Sequence, residues 1–426
     1  MTKRSRYTLI GVGVLAFLIV APALVWYVQG KPLRPGSAKP ENTGIISIET
    51  EPSGAEVWVN GEKRTSTPGA IRFLETGRYA VELRKEGYRG WQKTISVIGG
   101  RVSHANPNPA ALKLVKDTLP EVLATNVTAL AVRGNQIAYS TSAAVLIVTE
   151  EKDNTRTVTL PAPANRVLYI PHADRYVVMG QGYVWIVDPS SLTHTAVAVT
   201  FTNAEFQGVG PTLFIRTQKQ ELLQITLANP TQTTVIATQV QSFATHDTEL
   251  YYLHTNEAGT LSLHHSTVEN GTLVQTQALP TDLPNSPAAL FIDEQKAVYI
   301  LQGQNLYRFG EHASEIARSV TNASVQTGAL AYITPGELWW YDSRSLRSNL
   351  VSRTSAPIHT YLVSPASQFG IYTDSDGLTA AELNTDAGQN RYTLDSTSAE
   401  STVIMFRNTK QILYITNNTL KQLELF

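Results

Sequence analysis

From about residue 128 onward the sequence repeats itself, and that constrains the fold more than any other feature. Two copies of the repeat are clear. Val184-Trp185-Ile186-Val187-Asp188-Pro189-Ser190-Ser191-Leu192 and Leu338-Trp339-Trp340-Tyr341-Asp342-Ser343-Arg344-Ser345-Leu346 both read apolar, Trp, two apolar residues, Asp, a turn, then Leu. Weaker copies are Val145-Leu146-Ile147-Val148, Leu222-Leu223-Gln224-Ile225 and Asn305-Leu306-Tyr307-Arg308-Phe309. Each follows another short strand, such as Gln136-Ile137-Ala138-Tyr139 or Ala297-Val298-Tyr299-Ile300. Aligned on these, units begin near residues 128, 165, 205, 242, 287, 323, 359 and 402, a spacing of roughly 36–45 residues.

A unit of that length holds four short strands and cannot bury both faces of its sheet alone, so it must stack on its neighbours. The expected fold is therefore all-β, with a β-propeller over residues 111–426. Two stacked sandwiches fit the spacing less well. The eighth unit stops at Phe426 after three strands. Leu112-Lys113-Leu114-Val115 resembles the outer strands Thr157–Leu160 and Tyr392–Leu394, and is predicted to close the ring as the missing strand. Eight blades are predicted, with seven as the fallback. The ring resembles WD-repeat-like and quinoprotein-like propellers in its period and its apolar-apolar-Asp turn, although no Gly-His…Trp-Asp signature is present.

The other end of the chain carries an address. Lys3, Arg4 and Arg6 precede an uncharged run from Thr8 to Val28. At 1.5 Å per residue that is about 31 Å of helix, the thickness of a bilayer core. The run predicts an uncleaved signal-anchor, a single transmembrane helix with a cytoplasmic N-terminus. A cleavable signal peptide is the rival, on Ala21-Pro22-Ala23. Residues 31–44 are rich in Pro, Gly, Ser and Lys and read as a tether.

Residues 45–102 alternate as five strands. Ile46, Ile48 and Thr50 share one face, and Val57 and Val59 flank Trp58. Asn60-Gly61 is a type I′ turn dipeptide. The stretch Pro52-Ser53-Gly54-Ala55-Glu56-Val57-Trp58-Val59-Asn60-Gly61, with Thr67-Pro68, Gly77 and Tyr79, and Lys85-Glu86-Gly87-Tyr88, resembles the PEGA domain, Ser53 standing for the family's Glu. The resemblance implies an extracytoplasmic β module of bacterial envelope proteins and no catalysis. A second short linker, 103–110, leads into the propeller region.

Charge and motifs narrow the function. The 426 residues carry 34 basic and 35 acidic side chains and no cysteine. Thiolate nucleophiles, disulfides and zinc–sulfur sites are excluded. Residues 112–426 hold 19 Lys/Arg against 27 Asp/Glu, so no nucleic-acid partner is expected. His264-His265 point to opposite faces of a strand, so the pair alone cannot chelate one ion; with His254 near a site is conceivable, and surface polar residues are the default reading. Asp374-Ser375-Asp376-Gly377 lacks the remaining ligands of a calcium loop and reads as a hairpin. No Gly-x-Ser-x-Gly elbow or phosphate loop occurs. Neither a cofactor nor a metal is expected.

Trp185 and Trp339 are expected to pack between blades. Trp340, facing the other way, is the candidate partner-binding residue. The expected function is a membrane-anchored extracytoplasmic binding or scaffold protein presenting the propeller to an envelope protein, a surface appendage or a cell-wall polymer. The alternative is a glycan-active propeller enzyme with paired carboxylates at the channel. A sensor would need a partner, since only about seven residues precede the membrane run.

Overall fold

The computed structural model describes residues 3–28, 43–106, 111–150, 154–170, 173–197, 205–227, 229–256, 259–269, 272–280, 283, 286–310, 312–326, 328–384, 388–397, 401–408 and 410–426. Among the described residues, apart from one N-terminal helix, Lys3–Val28, the named elements are strands. The chain divides into two compact units: Met1–Thr118 with Asn384–Asn390 and Phe426, and Leu119–Leu383 with Arg391–Leu425.

The membrane span expected over residues 8–28 is not established by this helix. Among the described residues, no helix is long and apolar enough to cross a membrane.

In the first unit, a four-stranded sheet runs in the order Glu62–Ser66, Glu56–Val59, Gly77–Arg84, Trp91–Val97. A three-stranded sheet has the order Gly69–Leu74, Gly44–Ile48, Val102–His104. Strand alternation sends Ile46, Ile48, Val57, Val59, Val81 and Leu83 into one core with Trp91, and all seven are at most 2% exposed. Asn60 and Gly61 both have positive φ, 50° and 84°, which is the geometry a type I′ turn requires.

Among the described residues the second unit holds eight four-stranded antiparallel sheets. Their first strands are Val127–Arg133, Ala164–Ile170, Glu205–Val209, Val240–His246, Ala288–Ile292, Asn322–Gln326, Thr360–Ser364 and Ser401–Phe406. They define blades 1 to 8, and each begins within two residues of the start predicted from the repeat. First strands of consecutive blades adjoin one another from blade 1 to blade 8, so they surround a common axis.

Apolar clusters fill the seams. Leu146 and Val148 of blade 1 meet Tyr176 and Val178 of blade 2, and similar clusters lie between blades 2 and 3, 3 and 4, 4 and 5, 5 and 6, and 6 and 7. Leu413, Ile415 and Leu420 of blade 8 pack on Val127, Leu130 and Ile137 of blade 1. The seam between blades 7 and 8 is crossed by Tyr414 Oη, which donates to Asp395 Oδ2 at 2.8 Å.

The ring closes as expected in kind, but with a different strand. Leu112–Lys113 pairs in parallel with Thr50–Glu51 of the first unit. The outermost strand of blade 8 is Glu121–Ala124, antiparallel to Thr419–Glu424. Outermost strands of blades 3 to 8 also carry a register shift. A bulge there twists the open edge and discourages pairing with another chain.

Candidate binding face

The Asp of the repeat has a local task. Asp188 Oδ1 accepts the backbone N–H groups of Ser190 and Ser191 at 2.8 and 3.0 Å. Asp342 Oδ1 accepts that of Arg344 at 3.0 Å, and its Oδ2 accepts Ser345 Oγ. The Ser191 N–H leads in holding the Asp188 carboxyl below its ordinary range. At Asp342 burial works upward, and the Ser345 and Arg344 hydrogen bonds outweigh it. Both acids are ionised turn caps.

The three tryptophans separate. Trp185 stacks on His194 at 4.0 Å and packs on the seam of blades 1 and 2. Trp339 lies parallel to Tyr332, donates Nε1–H to Glu337 Oε2 at 3.0 Å, and packs between blades 5 and 6. Trp340 faces the next seam, against the core of blades 6 and 7. Its indole nitrogen is buried and has no hydrogen-bond partner. Leaving such a donor unmade costs about 1–3 kcal/mol.

Trp340 lines a groove of about 490 Å³ built from three blades. Blade 5 contributes Glu294 and Gln295, blade 6 contributes Trp340 and the Asp342–Arg344 turn, and blade 7 contributes Pro365. Ser343 Oγ donates to Gln295 Oε1 at 3.0 Å and ties the turn to blade 5. Gly328 admits the Glu294 carboxyl, since a Cβ there would stand 2.1 Å from it. An aromatic face, two acids and an arginine in a groove of this size make a recognition surface.

The remaining sequence candidates are structural. Pro52, Ser53, Gly54 and Ala55 lead into the strand Glu56–Val59. Gly54 N–H donates to Thr67 O at 2.7 Å, and Ala55 N–H to Thr67 Oγ1 at 3.0 Å. Asn60 Oδ1 accepts Ala80 N–H at 2.9 Å.

His265 is hydrogen-bonded to Glu249 at 2.9 Å and stacked on Tyr251, while His264 lies on Tyr252 and edge-on to His254. Among the described residues, no group of three His, Cys, Asp or Glu is placed to hold a metal. Asp374–Gly377 is a hairpin turn, with Asp376 N–H donating to Asp374 Oδ1.

Sequence reasoning missed the buried tyrosines of the second strands. Tyr176 Oη donates to Gln136 Oε1 of blade 1 at 2.8 Å, and Tyr299 Oη to Asp293 Oδ2 at 2.6 Å. The recurrence of Tyr in those strands was the available signal.

With the geometry described, comparison with known proteins assigns the first unit. Residues 43–108 match the PEGA domain. The match covers the four-stranded and the three-stranded sheet of that unit. No curated protein matches the chain. Among solved structures, Sqt1 of Saccharomyces cerevisiae aligns over 72% of this chain and 99% of its own, at 9% identity and a TM-score of 0.49. BamB from Moraxella catarrhalis aligns over 70% and 85%, at 13% identity and a TM-score of 0.36. Likeness at that level carries no functional argument, and the propeller stands on its own sheet order.

Proposed function

We propose that this chain is a membrane-tethered extracytoplasmic binding protein. Residues 8–28 hold it in a bilayer with the N-terminus cytoplasmic. The PEGA domain and propeller lie outside. The turn face of blades 5 to 7 docks an envelope protein, a surface appendage or a wall polymer.

The observation that carries the reading is the part-exposed Trp340 ring in a groove shared by three blades. An incoming partner would cover the part-exposed ring, the kind of large aromatic anchor that interface hot spots use. The charge-free run behind Lys3, Arg4 and Arg6 supports the address, and the PEGA match agrees with it.

The natural absence of cysteine gives a clean test. Ser343→Cys in the full chain puts one thiol at the groove rim. It should react with a membrane-impermeant maleimide on intact cells, and a cleavable cross-linker there should capture the partner. Labelling only after lysis would refute the address.

A further inference from the structure

One end of the PEGA domain is built from two turns and the point where the tether enters. Gly44 pairs with Leu74, which opens the turn into the strand Gly77–Arg84. Thr43 O accepts Gly100 N–H at 2.9 Å, and Arg101 O accepts Ile45 N–H at 3.0 Å. The turn after the strand Trp91–Val97 therefore lies against the same residues. Gly99 N–H donates to Thr76 Oγ1 at 3.0 Å and joins the two turns.

The surface of this end is apolar and basic. Ile98 and Val102 are each 50% exposed, and no other large apolar side chain among the described residues 43–118 is exposed to that degree. Ile45, half-buried, pairs with Val102 and extends the apolar strip. Arg78 and Arg101 belong to the two turns, and Arg72 to the strand Gly69–Leu74. All three are exposed, and among the described residues none of them is in an ion pair. Glu75 is the one acid in those turns.

Aliphatic side chains among cations are the composition of a contact with a lipid surface, the aliphatic groups at the acyl boundary and the cations at the phosphates. Charge along the chain has the same sense. Residues 1–118 carry 17 basic and 9 acidic side chains, whereas residues 119–426 carry 17 and 26. The tether supplies the direction. Residues 29–42 are all that separates Val28 from Thr43, and a chain of that length reaches at most about 50 Å. A domain held that close by one end meets the bilayer with that end first.

We propose that this end of the PEGA domain docks on the anionic surface of the bilayer that anchors the chain. Ile98 and Val102 lie at the acyl boundary, and Arg72, Arg78 and Arg101 lie on lipid phosphates. This docking rests on the membrane address proposed above and adds an electrostatic hold to it.

The test places a reporter beside the patch. Ser96→Cys, the strand partner of Arg78, gives one thiol to a chain that has none. The full chain, labelled there with bimane, is reconstituted in nanodiscs of phosphatidylcholine with or without phosphatidylglycerol, each holding a nitroxide-labelled lipid. The anionic discs should quench the reporter about threefold more than the neutral ones. In about 1 M salt, where the Debye length falls to about 3 Å, that difference should vanish. The same label at Glu86→Cys, past the far end of Gly77–Arg84, should stay unquenched in both. Ile98→Asp should cut the quenching. Arg72→Gln, Arg78→Gln and Arg101→Gln together should bring the anionic discs to the neutral value, with melting curves confirming that the variants fold. Equal quenching at Ser96→Cys and Glu86→Cys, or at Ser96→Cys in both discs, in a chain that resists alkaline extraction from vesicles would overturn the docking and leave the address standing. Extraction by alkali would overturn both.

Discussion

Glu121 pairs with Gln422 across nearly the whole length of the propeller region, as partners in the outermost and third strands of blade 8. Beside them, Arg407 ties blade 8 to blade 1. Its Nη2 donates to the carbonyls of Asn135 and Glu150, both at 2.9 Å, and its Nη1 to Gln422 Oε1 at 2.6 Å. Val127 N–H donates to Asn418 O at 2.7 Å. The seam where the ring begins and ends is therefore hydrogen-bonded as well as packed.

The strand register is testable by cross-linking. Glu121→Cys with Gln422→Cys should form a disulfide on mild oxidation, because strand partners lie within disulfide reach. Chain-entropy reasoning gives up to about 5 kcal/mol for a loop that long. Lys113→Cys with Gln422→Cys should stay reduced. Non-reducing electrophoresis and melting curves check both. A cross-link in the second pair alone would restore Leu112–Val115 as the closing strand.

Removing the Arg407 clamp should loosen the same seam. Arg407→Ala loses three hydrogen bonds from a charged group. A cost of about 2–4 kcal/mol is expected, read as a lower denaturant midpoint with an unchanged slope.

Acid should destabilise blade 4 in two steps, at its seam with blade 3 through His264 and at its seam with blade 5 through Glu249. Burial, aided by His254, lowers the His264 pKa. Burial acts against the Glu249 carboxylate, but donors on Tyr251 and Lys296 prevail and its pKa is also lowered. Both groups hold fewer protons folded than unfolded. Their stabilisation is full above the unfolded values, about 6.5 and 4.3, and is lost as pH falls through the lower folded ones. His264→Gln should flatten the stability profile just below pH 6.5, and Glu249→Gln the part below about 4.3. Unchanged profiles would refute the assignment.

Gly61→Ala probes the PEGA motif as structure rather than site. With φ at 84°, a Cβ should cost about 1 kcal/mol. The first unit should melt earlier while partner capture by the propeller is unchanged.

How much of this was legible in sequence follows from what each residue does locally. The blade starts were visible because the second and third strands of the units repeat an apolar pattern at a nearly fixed spacing, and the Asp188 and Asp342 turns because an Asx cap works within three residues. The closing strand was misread for a physical reason. Leu112, Leu114 and Val115 look like strand because they are buried in the first unit. Glu121–Ala124 lies at an exposed edge, where apolar patterning fades. The groove was invisible because Glu294, Trp340 and Pro365 come from three blades and meet only in the fold. The N-terminal run reads as a membrane span from its sequence alone.

The most direct test of the account is sedimentation of the full chain with envelope fragments from its own cells, comparing wild type, Trp340→Phe, Trp340→Ala and Trp339→Phe. We expect Trp340→Ala to lose at least tenfold in affinity, in line with the 2 kcal/mol or more of an interface hot spot. Trp340→Phe, which keeps a smaller aromatic face, should fall between, and Trp339→Phe should bind as wild type. Undiminished binding by Trp340→Ala, with its fold intact, would contradict the account.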